Sequence, residues 1–237
     1  MTLAFSLTQF FLKGGFFMYL LVGCSLVSVT TMLLRGWALR RDRVIPPTLW
    51  NEIEALSPGE NRRSLARLAT LVERDESPLA RIALVCLRHI EWPRSENVEA
   101  VQTRAKREVI RMESGLVVLE VIVGIAPLIG LLGAVSGLVT VFASLGTSET
   151  INDPRMLALG ISEALNTTIA GLSIAIPSLI AYSYFAKKVE TLAAELEAII
   201  SELLAKSYSR KSRFGLGKAS TGLPGGEANP AGTPELP

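Results

Sequence analysis

Three stretches of the chain are apolar for the length of a membrane crossing. Residues Gly14 to Leu34 carry no charge and end at Arg35. Leu116 to Leu145 holds one charge, Glu120, near its start, and Ile161 to Phe185 holds one, Glu163, before Lys187 and Lys188. Crossing ~30 Å of hydrocarbon takes ~20 apolar residues at 1.5 Å each, so all three predict transmembrane helices. The runs are continuous rather than alternating, which argues against strands. The fold class expected is therefore all-α: an integral membrane protein with three transmembrane helices.

Between and beyond the spans the pattern changes to a helical period. Pro46-Pro47 breaks the chain after the first span, and Ser57-Pro58-Gly59 reads as a turn before a helix from about Asn61 to Val72. Ser77-Pro78 opens another helix carrying Ile82, Val85 and His89, which stops near Trp92-Pro93. From Asn97, the positions Val98, Val101, Ala105, Val109, Met112 and Leu116 recur every three or four residues, so one helix runs straight into the second span. Val189, Leu192, Leu196, Ile199 and Leu203 do the same after the third span. Extensions of the membrane helices thus form a helical bundle in water. The Gly-, Pro-, Ser- and Ala-rich end from Ser207 reads as a disordered tail whose basic start touches anionic lipid.

Charge fixes an orientation. Arg35, Arg40, Arg41 and Arg43, then Arg104, Lys106, Arg107 and Arg111, lie between the first two spans, and Lys187, Lys188, Lys206, Arg210, Lys211 and Arg213 follow the third. The N-terminal segment has only Lys13, and the loop before the third span sets Arg155 against Glu149 and Asp153. The positive-inside rule then places the N-terminus outside and the C-terminus inside. The expected order is an outer tail (1–13), a first span (14–34), a cytoplasmic helical region (35–115) and a second span (116–145). An outer loop (146–160), a third span (161–185), a cytoplasmic extension (186–206) and the tail (207–237) follow.

Composition agrees with a lipid environment: 49% of residues are apolar, 19% are charged and mean hydropathy is +0.38. A net charge of +2 gives no reason to expect a nucleic-acid partner. Leu21-Val22-Gly23-Cys24 looks like a lipoprotein cleavage box, but a basic leader is nearly missing and the chain stays apolar past Cys24. One histidine and two cysteines without a CxxC offer no metal site or disulfide framework. No P-loop, HExxH or GxSxG is present, so neither an enzyme nor a cofactor is expected.

The chemistry lies in the third span. Asp153-Pro154 makes a capped helix start, and Glu163 follows at roughly 14 Å along the helix. A carboxylate at that depth is costly and must be paired, hydrated or protonated. Asn166, Thr167 and Thr168 extend the polar patch. Thr167 shares a helix face with Glu163, whereas Thr168 lies ~140° away. Glu163, Thr167 and Thr168 are the candidate ion-pathway residues. Small residues mark the packing faces: Gly160, Ala164, Thr167, Gly171 and Ala175 on the third span, and Gly130, Gly133, Ala134 and Gly137 on the second. Pro127 and Pro177 are expected to kink the two spans.

These residues resemble a known family. Ala126-Pro127-Leu128-Ile129-Gly130-Leu131-Leu132-Gly133 through Phe142 looks like the second-span motif of the MotA/TolQ/ExbB proton channel family. Gly160-Ile161-Ser162-Glu163-Ala164-Leu165, with Thr167-Thr168 and Gly171 through Pro177, looks like its third-span motif. Size and loop lengths are closer to ExbB and TolQ than to MotA. The resemblance implies a homopentamer in a bacterial inner membrane around an ExbD- or TolR-type single-span protein with a membrane aspartate. A TonB- or TolA-type protein is a further expected partner. It also implies a motor that couples the ion gradient to work at the outer membrane, such as energised import, with Glu163 and Thr168 at the ion route. One position departs: the family usually reads Gly-Thr-Val-Trp-Gly, where this chain has Gly133-Ala134-Val135-Ser136-Gly137. Ser136 and Thr140, at ~200° and ~240° from position 134, do not replace the hydroxyl on that face. Apart from the resemblance, a structural membrane scaffold and a regulatory membrane protein acting through its bundle remain the competing readings.

Overall fold

A computed structural model describes residues 15–57, 62–147 and 154–216, and they form eight helices in chain order. These are α1 (Gly15–Ala38), α2 (Arg41–Val44), α3 (Pro47–Ala55), α4 (Arg62–Arg74), α5 (Pro78–Arg88), α6 (Arg94–Glu113), α7 (Leu116–Thr147) and α8 (Pro154–Leu216). No strand occurs among the described residues. Three stretches are long and apolar enough to cross a membrane: Phe16–Ala38, the α6–α7 stretch Arg94–Ala143, and Gly160–Ser209.

Local sequence explains most boundaries. At the start of α5, Ser77 is the N-cap and its hydroxyl accepts the Ala80 N–H at 3.2 Å, with Pro78 in the first turn. Pro47 likewise stands in the first turn of α3, which has no side-chain cap. Trp37 ends the first span with the Arg43 guanidinium 3.3 Å over its ring, an aromatic and a cation at the margin where the apolar run stops.

The helices bury two separate cores. In the spans, Met18 and Leu21 of α1, Ile122 and Ala126 of α7 and Ala175 of α8 meet. Outside them, α3 to α6 wrap the continuation of α8, burying Leu49, Ile53, Leu68, Leu79, Ile82 and Cys86 against Val189, Leu192, Leu196, Ile199 and Leu203. Large apolar side chains remain exposed on the spans, among them Leu128, Leu131, Val139, Ile169 and Ile180. Lipid is the solvent these faces fit.

Two polar centres lie inside the bundle. The Glu108 carboxylate is fully buried, with Arg81 at 2.6 Å, Arg104 at 2.9 Å and Arg111 at 3.4 Å. Asn97, also fully buried, donates through Nδ2 to the Cys86 carbonyl at 3.0 Å and to the Tyr208 hydroxyl at 2.9 Å. That hydroxyl in turn lies 3.2 Å from the His89 carbonyl and 3.1 Å from that of Trp92.

Two expectations from sequence are corrected here. Residues 207–216, assigned by composition to a disordered tail, are helical, and Tyr208 is buried by the contacts just given. Residues 217–237 lie outside the described residues. The helix drawn unbroken from Asn97 into the second span is loosened at Ser114 and Gly115, where α6 ends and α7 begins. A glycine beside a serine that bonds its own backbone weakens the turn more than the apolar period can show.

Candidate functional site

The second and third spans meet along their small residues. A Cβ added at Gly171 would lie 2.6 Å from the Ala126 carbonyl oxygen and 3.2 Å from Gly130 Cα. One at Gly130 would lie 2.8 Å from the Thr167 carbonyl oxygen and 3.2 Å from Thr168 Cα. Gly133 faces the Thr167 side chain, and Gly137 faces Ala164 at 3.3 Å. The backbones of α7 and α8 therefore touch, which is possible in lipid only where side chains are absent. Gly160 continues the seam towards Val141. Pro127 and Pro177 lie inside α7 and α8, and both helices continue through them.

Polar groups collect at this seam. Thr167 is 2% exposed. Its hydroxyl donates to the Ala164 carbonyl at 2.8 Å or the Gly130 carbonyl at 3.1 Å. Thr168 is half-buried at the edge, with its hydroxyl 3.4 Å from the same Gly130 carbonyl. The two threonines thus straddle one glycine, and only Thr168 keeps part of its surface outside the seam. Glu163 stands one helical turn before Thr167 on α8, but its side chain lies outside the described residues, as does Asp153. Ala134 is buried at 7% exposure, while Ser136 and Thr140 are exposed and the Thr140 hydroxyl bonds the Ser136 carbonyl at 3.0 Å.

A second polar contact in the spans escaped the sequence reading. Ser28 of α1 and Ser178 of α8 are both buried and share a hydrogen bond of 2.6 Å, and Ser178 also donates to the Ile174 carbonyl at 2.7 Å. The available signal was a serine inside each apolar run. Nothing in the spacing pairs residues so far apart in the chain. No group of three or more His, Cys, Asp or Glu gathers among the described residues.

Residues 74–198, which hold the buried Glu108 centre and the whole α7–α8 seam, match the profile of the MotA/TolQ/ExbB proton channel family. The chain belongs to the MotA/TolQ/ExbB proton channel family. Among its relatives, an ExbB-like 1 biopolymer transport protein of Synechocystis sp. is 34% identical over 208 residues, covering 81% of this chain and 78% of that one. The biopolymer transport protein exbB1 of Vibrio cholerae is 31% identical over 145 residues, 61% of this chain and 63% of the relative. The Aquifex aeolicus ExbB protein is 33% identical over 109 residues, 46% and 72% of the two chains. The glycine-tight pair of spans with hydroxyls at its edge lies wholly within the region that matches this proton channel family.

Proposed function

We propose that this chain is the pore-forming subunit of an ion-gradient-driven motor of the ExbB–ExbD or TolQ–TolR type. It lies in a bacterial inner membrane with the N-terminus outside and the α2–α6 bundle in the cytoplasm. Copies of the chain, five in number, surround an ExbD- or TolR-type single-span partner that carries a membrane aspartate. The complex does work at the outer membrane, such as energised import, with a TonB- or TolA-type protein passing on the force.

One observation supports this reading above the others: Thr168 lies half-exposed at the rim of the α7–α8 seam, its hydroxyl on the Gly130 carbonyl. A hydroxyl so placed can offer a lone pair to an ion or a water on its open side. Thr167, behind it, is committed to packing by its two carbonyl contacts. In this reading Glu163 and Thr168 border the ion route, Thr167 holds its wall, and the aspartate of the partner carries the proton. Ala134, inside the protomer, leaves the route without the hydroxyl usual at that position.

The test is gradient-dependent work, for example receptor-dependent uptake in cells that also express the single-span partner. Thr168→Val and Glu163→Gln should each abolish it while oligomers of wild-type size persist in native gels. Unchanged work in both variants defeats the reading. Work that persists after the gradient is collapsed favours a structural scaffold instead.

A further inference from the structure

Besides the passage from α1 into α2, two connections join the spans to the bundle, and they differ. Helix α8 runs from Pro154 to Leu216 as one helix. The other connection joins α6 to α7 through Ser114 and Gly115. Ser114 keeps helical angles (φ −52°, ψ −29°), and its N–H reaches the Ile110 carbonyl at 2.9 Å. The next two carbonyls are engaged by side chains. The Ser114 hydroxyl donates to Arg111 at 2.9 Å, and Arg35 Nη1 donates to Met112 at 3.2 Å. In an uninterrupted helix these acceptors serve the amides of residues 115 and 116. Arg35 Nη2 also approaches the Ser114 hydroxyl at 3.4 Å.

Arg35 comes from the last turn of α1, so three elements meet at this one turn. Gly115 makes the meeting possible, because a Cβ there would overlap the guanidinium. The positive-inside rule asks only for a cation at this margin, and a lysine would satisfy it. A planar fork that reaches a carbonyl and a hydroxyl at once is a property of arginine.

We propose that Arg35 is a positioning residue that clamps a joint between the bundle and the second span. The clamp holds α7 at a fixed angle to α6 and to the end of α1, and so fixes the seam at which Thr168 lies. Its value to the ion route rests on the proposed function; the clamp itself does not. Arg35→Lys keeps the charge but loses the fork. Gly115→Ala closes the turn by helix propensity instead, and so should compensate for the missing fork.

The experiment measures the angle across the joint. Nitroxides at Thr103 and Val121, both exposed, flank it on one helical face about 27 Å apart. They are placed on full-length chain lacking Cys24, reconstituted in bilayers and diluted with unlabelled chain. Pulsed dipolar spectroscopy should give a narrow distance distribution for the parent chain. Arg35→Lys should roughly double its width, as expected for an unclamped helix joint. The double variant Arg35→Lys/Gly115→Ala should return to the parent width, and gradient-driven work should fall and recover in parallel. An unchanged distribution in Arg35→Lys overturns the clamp. So does a broadened one that Gly115→Ala leaves broad, because the loss then arises in α1. If widths stay constant while work still depends on Glu163 and Thr168, the clamp fails and the motor reading stands. If widths respond as expected in a chain whose work ignores Glu163 and Thr168, the motor reading fails and the clamp stands.

Discussion

Gly171→Ala should loosen the α7–α8 seam more than any other single methyl addition to the glycines of the spans. The new Cβ would lie 2.6 Å from the Ala126 carbonyl oxygen, about 0.8 Å inside ordinary contact. That neighbour is backbone, so relief requires the helices to separate. Overpacking of this kind costs ~1–3 kcal/mol. Separation also stretches the Thr167–Gly130 hydrogen bond, now 3.1 Å, worth ~0.6–1.7 kcal/mol in a membrane. The ~1 kcal/mol by which alanine favours helix over glycine in water does not offset this, since a span in lipid stays helical when its neighbour leaves. The sum is roughly 2–4 kcal/mol, a shift of about 30-fold or more in the packing equilibrium. Equilibrium unfolding in mixed micelles titrated with SDS reads this directly. Gly130→Ala should follow closely, since its Cβ meets the Thr167 carbonyl at 2.8 Å. Gly160→Ala should cost less, because it meets the end of the Val141 side chain, which can turn away. Gly124 and Gly23 have nothing within 4 Å of an added Cβ and serve as neutral controls. If Gly171→Ala unfolds with Gly124→Ala, close backbone approach does not hold this seam, and the reasoning fails.

Three further outcomes are expected. Tyr208→Phe removes the hydroxyl that accepts from Asn97 and donates to the His89 or Trp92 carbonyl, a loss of ~1–3 kcal/mol. Hydrogen exchange should rise around residues 89–92 and 205–208 while the spans stay protected, and uniform protection would contradict the contact. Glu108→Gln leaves three arginines facing a neutral amide; breaking a buried pair costs ~3–5 kcal/mol, lowered to roughly 2–3 here because Arg81 and Arg104 are partly solvated. Limited proteolysis should then cut between α4 and α6, and an unchanged pattern would show that the carboxylate is not structural. Burial pushes the Cys86 thiol from 9.0 up to about 12. The unfolded chain therefore loses this proton first as pH rises, so the stability advantage over Cys86→Ala should be flat below pH 9 and shrink between pH 9 and 12. A constant difference across that range would argue against a buried neutral thiol.

The sequence by itself determined the three spans, the helical class and most helix starts. These follow from local physics: a run of apolar residues is read over its own length, and Ser77-Pro78 caps its own helix wherever it lies. Small-residue faces were also legible, because a period of three or four puts Gly130, Gly133 and Gly137 on one side of a helix without reference to anything else. The family was legible from the same stretches.

Tertiary structure alone decided which partners those faces meet. Periodicity says that Gly130 faces something; the crossing of α7 and α8 sets it between Thr167 and Thr168, burying one hydroxyl and leaving the other at the rim. The Ser28–Ser178 bond, the Arg81–Glu108 ion pair and the Asn97–Tyr208 contact join residues on different helices. Their pairing depends on helix rotation and translation, which no local pattern encodes. Composition misassigned Ser207 to Leu216 for the same reason: Tyr208 is held by an amide on α6 and by carbonyls of the turn between α5 and α6. The contact of Arg35 with the turn at Gly115 is likewise tertiary, since that side chain arrives from another span only once the three helices are assembled.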